Sequence, residues 1–301
     1  MTDPRGAPPP FGGHEAASPF DSARVAVLPV PFEGTVSYGK GAAAGPAAIL
    51  EASAQVELFD EQTGLEPFRV GIWTDGPLEI PDGPAARVAS AVERRLGELL
   101  DAGKWVVTLG GEHSITPGAV RAAARRNAGL RIVQLDAHAD LRESYEGDPW
   151  SHASAMARCL DLAPIRAIGV RNYSSEEAAR IRGGIPGYAV IHAWEMEEEG
   201  WQERALEGLD GAPVYLTIDL DCFDPAVIPA TGTPEPGGLS WWPTLRFLDA
   251  LFRRARVVAA DLVELAPAPG LHAADFAAAR LAYKLVGMRF PEASRARIPG
   301  R

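Results

Sequence analysis

Cysteine is nearly absent from this chain: Cys159 and Cys222 are the two in 301 residues. Two thiols provide no disulfide framework, and a chain of this length buries enough core to fold without one. Long apolar runs are missing too. No stretch approaches the roughly 18 to 20 uncharged residues that span a bilayer. The first ten residues, Met-Thr-Asp-Pro-Arg-Gly-Ala-Pro-Pro-Pro, carry no apolar segment behind a basic start, so no secretory signal is read there. A cytoplasmic protein without membrane association is expected. Positive charge is in deficit, with 29 Lys and Arg against 40 Asp and Glu and a net charge of −11. That balance argues against nucleic acid as a partner, because phosphate binding wants a basic face. It mildly favours a cationic small molecule.

What is present is a globular composition, with 47% hydrophobic and 23% charged residues. The 31 glycines and 26 prolines suggest many turns between short elements. Residues 1–20 hold five prolines and three glycines without periodicity, and are expected to form a flexible N-terminal extension, mobile or draped on the surface. From there to residue 301 a single domain is expected. Strand-like segments fall at 24–30, 69–73, 105–109, 130–135, 165–170, 189–192, 214–218 and 257–262. Val88, Val92, Leu96 and Leu99 recur at helical spacing, and further helices are expected near 119–126, 151–159, 176–181, 245–252 and 273–285. Strands that are apolar throughout are covered on both faces. Their alternation with helices implies an α/β domain with a mostly parallel sheet between helical layers.

The polar signals cluster where those strands end, which is where ligands gather in open parallel sheets. Gly110-Gly-Glu-His113, Asp136-Ala-His138-Ala-Asp140, Asp219-Leu-Asp221-Cys-Phe-Asp224-Pro225 and Val263-Glu264 each follow a strand. In an extended backbone, residues i, i+2 and i+4 point the same way, so Asp136, His138 and Asp140 converge. Such a crowd of carboxylates is costly to bury unless cations sit between them. Asp219 and Asp221 repeat the arrangement and His113 adds a nitrogen. Two histidines and four aspartates suit two divalent metals, and oxygen-rich ligands without thiolate favour manganese-type ions over structural zinc. Two such ions about 3.5 to 4 Å apart activate a shared water.

Other candidates receive structural readings. Asp224, before Pro225, supports a turn. Cys222 is a small buried neighbour of the site, His192 a core or edge histidine, and Trp241 and Trp242 open a helix and pack on the core. His14 and His272 receive no role. Glu112 is either a supporting residue behind His113 or a solvated loop acid.

These motifs, together with the early stretch Ser37-Tyr-Gly-Lys-Gly-Ala-Ala-Ala-Gly-Pro46 and the later Asp261-Leu-Val-Glu264, resemble the ureohydrolases: arginase, agmatinase and relatives. The likeness runs from about residue 25 to residue 285. It implies a three-layer α/β/α fold and two Mn2+ per subunit. By resemblance, His113, Asp136, His138, Asp140, Asp219 and Asp221 match metal ligands, with Asp136 and Asp221 bridging and Asp140 also holding the bridging hydroxide. Glu264 matches the acid that pairs with the substrate guanidinium, and His152 the histidine that relays a proton to the leaving amine. Helix capping is the competing role for His152. The loop 141–152 lacks the head-group pattern of arginases and looks like that of bacterial agmatinases, with Glu143, Glu146 and Asp148 as candidate amine binders. Glu112 and the segment 39–45 depart from the usual pattern, which more often has Asp and Arg-Pro-Gly there.

The expected activity is agmatinase-type, cleaving the guanidino group of agmatine to urea and putrescine by attack of a metal-bridging hydroxide, in a trimer or hexamer. A sister guanidino-acid hydrolase of the guanidinobutyrase kind is the nearest alternative; its substrate carboxylate would call for a cation such as Arg142. A zinc amide deacetylase and a non-catalytic metal-binding protein are the readings from other classes.

Overall fold

The computed structural model describes residues 8–293. Eight strands form one sheet: β1 (Val25–Val30), β2 (Ile72–Thr74), β3 (Trp105–Gly110), β4 (Arg131–Leu135), β5 (Ile165–Val170), β6 (Tyr188–His192), β7 (Pro213–Asp219) and β8 (Arg256–Val263). Their order is β2-β1-β3-β8-β7-β4-β5-β6, and each ladder between them is parallel, in keeping with the parallel sheet expected. Pro29 fits within β1 because its carbonyl faces the β2 side, and the β2 ladder has already ended at Val27. Its missing N–H therefore breaks no rung.

Nine helices are present among the described residues: α1 (Gly13–Ala16), α2 (Gly45–Ser53), α3 (Ala85–Asp101), α4 (Thr116–Ala124), α5 (Ala155–Cys159), α6 (Ser175–Gly183), α7 (Trp201–Leu206), α8 (Trp241–Arg254) and α9 (His272–Arg289). Two apolar cores flank the sheet. One joins α2, α7, α8 and α9 to side chains such as Val27, Leu216 and Leu262. The other joins α3, α4 and α5 to Leu28, Ile132 and Tyr215. The result is three layers, helix on sheet on helix.

Three expectations differ from this architecture. The region 8–20 is anchored rather than draped. Phe11 is buried, its N–H donates to Thr74 Oγ1, Gly12 N–H donates to Ser53 Oγ, and Ala17 bridges to Ile72. One buried ring outweighs the surrounding prolines; residues 1–7 lie outside the described part. α8 begins at Trp241, where the tryptophan pair is expected to open a helix, but Trp242 faces outward at 50% exposure while Trp241 packs against Phe223. The segment 45–53 is helical, with Pro46 in its first turn, where a missing N–H costs nothing.

Candidate metal centre and substrate pocket

Four strands adjacent in the middle of the sheet, β3, β8, β7 and β4, deliver the polar residues at their carboxyl ends. Neighbouring strands lie about 4.8 Å apart, so side chains from their ends meet without long loops. His113 Nδ1 lies 3.2 Å from Asp136 Oδ2, 3.0 Å from Asp140 Oδ2 and 3.4 Å from Asp219 Oδ2. His138 Nδ1 lies 2.9 Å from Asp221 Oδ2 and 3.7 Å from Asp136 Oδ1. Two groups with metal-ligand spacing result: His113, Asp136 and Asp140, and Asp136, His138 and Asp221. Asp136 belongs to both. Asp219 stands beside His113 but outside either group.

The convergence does not come from a simple extended strand. Asp140 takes a left-handed backbone, φ 53°, which aspartate tolerates better than most residues. Asp221 sits in a short 3-10 turn, Leu220–Cys222. The carboxylates are locked by backbone N–H groups: His138 N–H to Asp136 Oδ1 at 2.6 Å, Asp221 N–H to Asp219 Oδ1 at 2.9 Å, and Ala137 N–H to Asp221 Oδ1 at 3.1 Å.

His113 provides the test of whether a cation fits. Its Nε2 is 3.0 Å from Thr217 Oγ1, and its Nδ1 faces Asp136, Asp140 and Asp219. With the Nε2 proton given to Thr217, the neutral ring aims its Nδ1 lone pair at those three carboxylates. That Nδ1 is buried without a hydrogen-bond partner. A lone pair facing anions is repulsive unless a proton or a metal ion stands between them. Burial favours neutral imidazole, but the carboxylates outweigh it and hold the His113 and His138 pKa values well above normal. Asp136 is lowered: burial opposes this and is overcome by the two histidines. Burial raises Asp140, and burial with the Asp221 charge raises Asp219 well above the carboxylate range. A divalent cation replaces the histidine protons and relieves the crowding. The donor set fits two ions.

Glu264 and His152 line one cavity of about 150 Å³ with His113, His138, Asp140, Asp219 and Asp221. Glu264, at φ 66°, accepts the His113 N–H at Oε1 (2.6 Å), and burial together with the Glu112 charge pushes its pKa to about 8. His152 lines the same cavity. Ser151 precedes the short turn that His152 opens and its side chain makes no cap; the His152 ring instead meets Thr35 and the edge of Tyr145. Arg142, Tyr145, Tyr173 and Glu177 complete the outer wall. Glu143, Glu146 and Asp148 do not line it. Glu143 pairs with Arg158 and Arg180, and Asp148 binds the Trp150 N–H.

Glu112 is no solvated loop acid; it is fully buried. Asp224 holds a turn, accepting N–H groups of Ala226, Gly237 and Gly238. His192 ends edge strand β6, bound to Glu195 and stacked on Trp194. Cys222 is buried, and burial with the Asp221 charge keeps its thiol protonated. Sequence reasoning gave no role to Thr217, Asp261 or Thr35. Thr217 and Asp219, two apart in β7, share a face, and that spacing was the available signal for Thr217.

The model of the arginase family matches residues 23–287. The chain belongs to the arginase family. It is similar to the N(1)-aminopropylagmatine ureohydrolase of Synechocystis sp., at 42% identity over 93% of this chain and 94% of that protein. It is also similar to the agmatinase of Bacillus anthracis, at 36% identity over 82% and 85% of the two chains. Among solved structures, the agmatine ureohydrolase of Thermoplasma volcanium superposes with a TM-score of 0.83 at 31% identity, covering 92% of this chain and 93% of that one. The chain is an arginase-family ureohydrolase, and no helix among its described residues is long and apolar enough to cross a membrane.

Proposed function

We propose that this ureohydrolase acts on a guanidinoalkyl amine, with agmatine as the leading substrate, and releases urea and the diamine putrescine. The observation that carries the reading is a single cavity lined by Glu264, His152 and members of both candidate metal groups, His113 and Asp140 of one and His138 and Asp221 of the other. His113, Asp136, His138, Asp140, Asp219 and Asp221 would hold two divalent ions, manganese by family resemblance. When bound, such a pair acidifies water into a nucleophile near neutral pH.

The chain's own residues do the rest. A guanidinium is planar and cationic, so a buried carboxylate at Glu264 binds it through paired N–H groups and fixes its carbon. Bringing the cation beside Glu264 favours the ionised carboxylate over the protonated form that burial promotes. His152 gives a proton to the departing amine nitrogen, so the C–N bond breaks with a neutral diamine nitrogen leaving. The aromatic wall of Tyr145 and Tyr173 flanks the alkyl chain. A homo-oligomer, trimer or hexamer, and a cytoplasmic location complete the proposal by family resemblance.

Two other substrates have specific support. The relatives at 42% and 38% identity are named for N(1)-aminopropylagmatine. Arg142 lines the cavity, 3.8 Å from Glu177, and is the cation that a guanidino acid's carboxylate would call for. The deciding experiment measures urea release by manganese-loaded protein on agmatine, N(1)-aminopropylagmatine, guanidinobutyrate and arginine side by side. Preference for agmatine is expected. Preference for another of the four keeps the chemistry and replaces the substrate. No urea from any, with two metals bound per chain, overturns the proposal.

A further inference from the structure

We infer that Thr35, clamped by the buried carboxylate of Glu112, is a positioning residue that sets the tautomer and direction of the His152 ring. The inference rests on the role proposed above for His152. It deepens that role by naming what makes the imidazole competent.

The clamp begins with backbone. After β1 the chain runs past Gly111, whose Cβ, if it had one, would lie 1.9 Å from Phe32 O. Only glycine permits this approach, and through it the Glu112 N–H reaches Phe32 O at 2.9 Å. The Glu112 carboxylate then gathers the next turn. Its Oε2 accepts N–H groups from Gly34 and Thr35, both at 2.7 Å. Its Oε1 accepts the hydroxyls of Thr35 at 2.8 Å and Ser114 at 2.5 Å. Four donors on one buried carboxylate leave it fully satisfied and the turn fixed.

Hydrogen-bond counting does the rest. A threonine hydroxyl has one proton, and at Thr35 it is given to Glu112, an acceptor. Thr35 Oγ1 has two further neighbours, His152 N–H at 3.0 Å and His152 Nδ1 at 3.1 Å. Both must donate to it. Nδ1 therefore carries a proton, and Nε2 is the nitrogen free to exchange one with substrate. The Tyr145 ring, edge-on with its centroid 5.8 Å from that of His152, limits rotation away from this pose. Without the Thr35 hydroxyl, Nδ1 loses its acceptor and the ring is free to turn or to change tautomer.

The test is a double-mutant cycle on manganese-loaded enzyme. Thr35→Val should lower kcat by about 10- to 100-fold, a part of what general acid catalysis supplies, with KM changed less than about threefold and bound metal unchanged. Thr35→Ser should restore most of the loss. In a His152→Ala background, Thr35→Val should cost nothing further, because the residue acts through the ring that is gone. Unaltered kcat in Thr35→Val, or an equal additional loss in the His152→Ala background, overturns the inference. A second readout needs no turnover: 15N imidazole shifts of magnesium-loaded, histidine-labelled protein, with His152 assigned by its alanine variant. A protonated Nδ1 on His152 is expected in the wild type and its loss in Thr35→Val. A wild-type His152 protonated on Nε2 alone overturns the inference. Absence of urea release from every guanidino compound would instead sink the proposed function, leaving the ring's tautomer to decide the role of Thr35.

Discussion

Asp136 is the residue on which both candidate metal groups depend, since its two oxygens face His113 and His138 separately. Removing its charge should therefore be worse than removing an outer ligand. Asp136→Asn is expected to bind less than one metal per chain, whereas His138→Ala should retain about one, measured by elemental analysis after dialysis against a weak chelator. Equal loss in both variants would contradict the sharing. Glu264 contributes at the same scale but to the substrate, because the atom it binds in the protein is the His113 N–H and its other oxygen accepts no hydrogen bond among the described residues. Glu264→Gln keeps the shape and loses the charge-assisted fork. Urea turnover should fall by about 10²- to 10³-fold, in the range seen when a single aligned electrostatic contact is removed, with two metals still bound. A variant with unchanged turnover would remove Glu264 from the site.

Between elements, the helical layer α3–α4 is held by contact too close for any side chain. Gly118 on α4 backs onto Ala89 O, where an added Cβ would sit 2.0 Å away. Gly118→Ala must push the helices apart, and the stability loss should be at least about 1 to 3 kcal/mol by thermal unfolding, despite alanine's better helix propensity. On the other layer, Lys284 of α9 is buried and paired with buried Asp60 at 2.6 Å. Lys284→Met should cost about 3 to 5 kcal/mol, as it leaves a buried charge alone. Burial pushes the Asp60 pKa up, but the Lys284 and Thr63 contacts outweigh it and leave it lowered. Its stabilisation is thus present above the ordinary carboxylate range and lost as pH falls through the depressed value.

The elements differ in how plainly the chain announces them. β1, β3, β4 and β7 are nearly continuous apolar runs, because both faces are covered, and each is legible. So are the acids and histidines that follow them, since charge at the end of a buried strand is conspicuous. The order that makes β3, β8, β7 and β4 neighbours is set by tertiary packing and leaves no local trace. Thr35 was not legible for the same reason: its partners Glu112 and His152 are 77 and 117 residues away. Phe11 was hidden by the prolines around it, whose composition describes a loop while one aromatic ring decides where that loop goes.

For the whole molecule, the consequence is that stability and metal content are one quantity. Without ions, the folded chain confines Asp136, Asp140, Asp219, Asp221 and Glu264 around two imidazoles, in a protein already at −11. The folded state then holds protons that the unfolded chain would release. Burial and its neighbours raise Glu264 from 4.5 to about 8, and the carboxylates raise His113 and His138 from 6.5. The native state binds more protons over that range, so unfolding free energy falls as pH rises. Chelator-treated protein should therefore lose thermal stability steadily between pH 5 and about 8. Manganese replaces those protons, so the loaded protein should hold its Tm across the same interval, and the gap between the two curves should widen with pH. At an ion concentration near 100 times Kd the gain is about 2.7 kcal/mol, or about 4 °C in a chain of this size. Scanning calorimetry with and without chelator reads both curves. Parallel curves with a constant offset would mean that the carboxylates and imidazoles do not share the ions, and would separate the acidic cluster from the metal centre proposed for it.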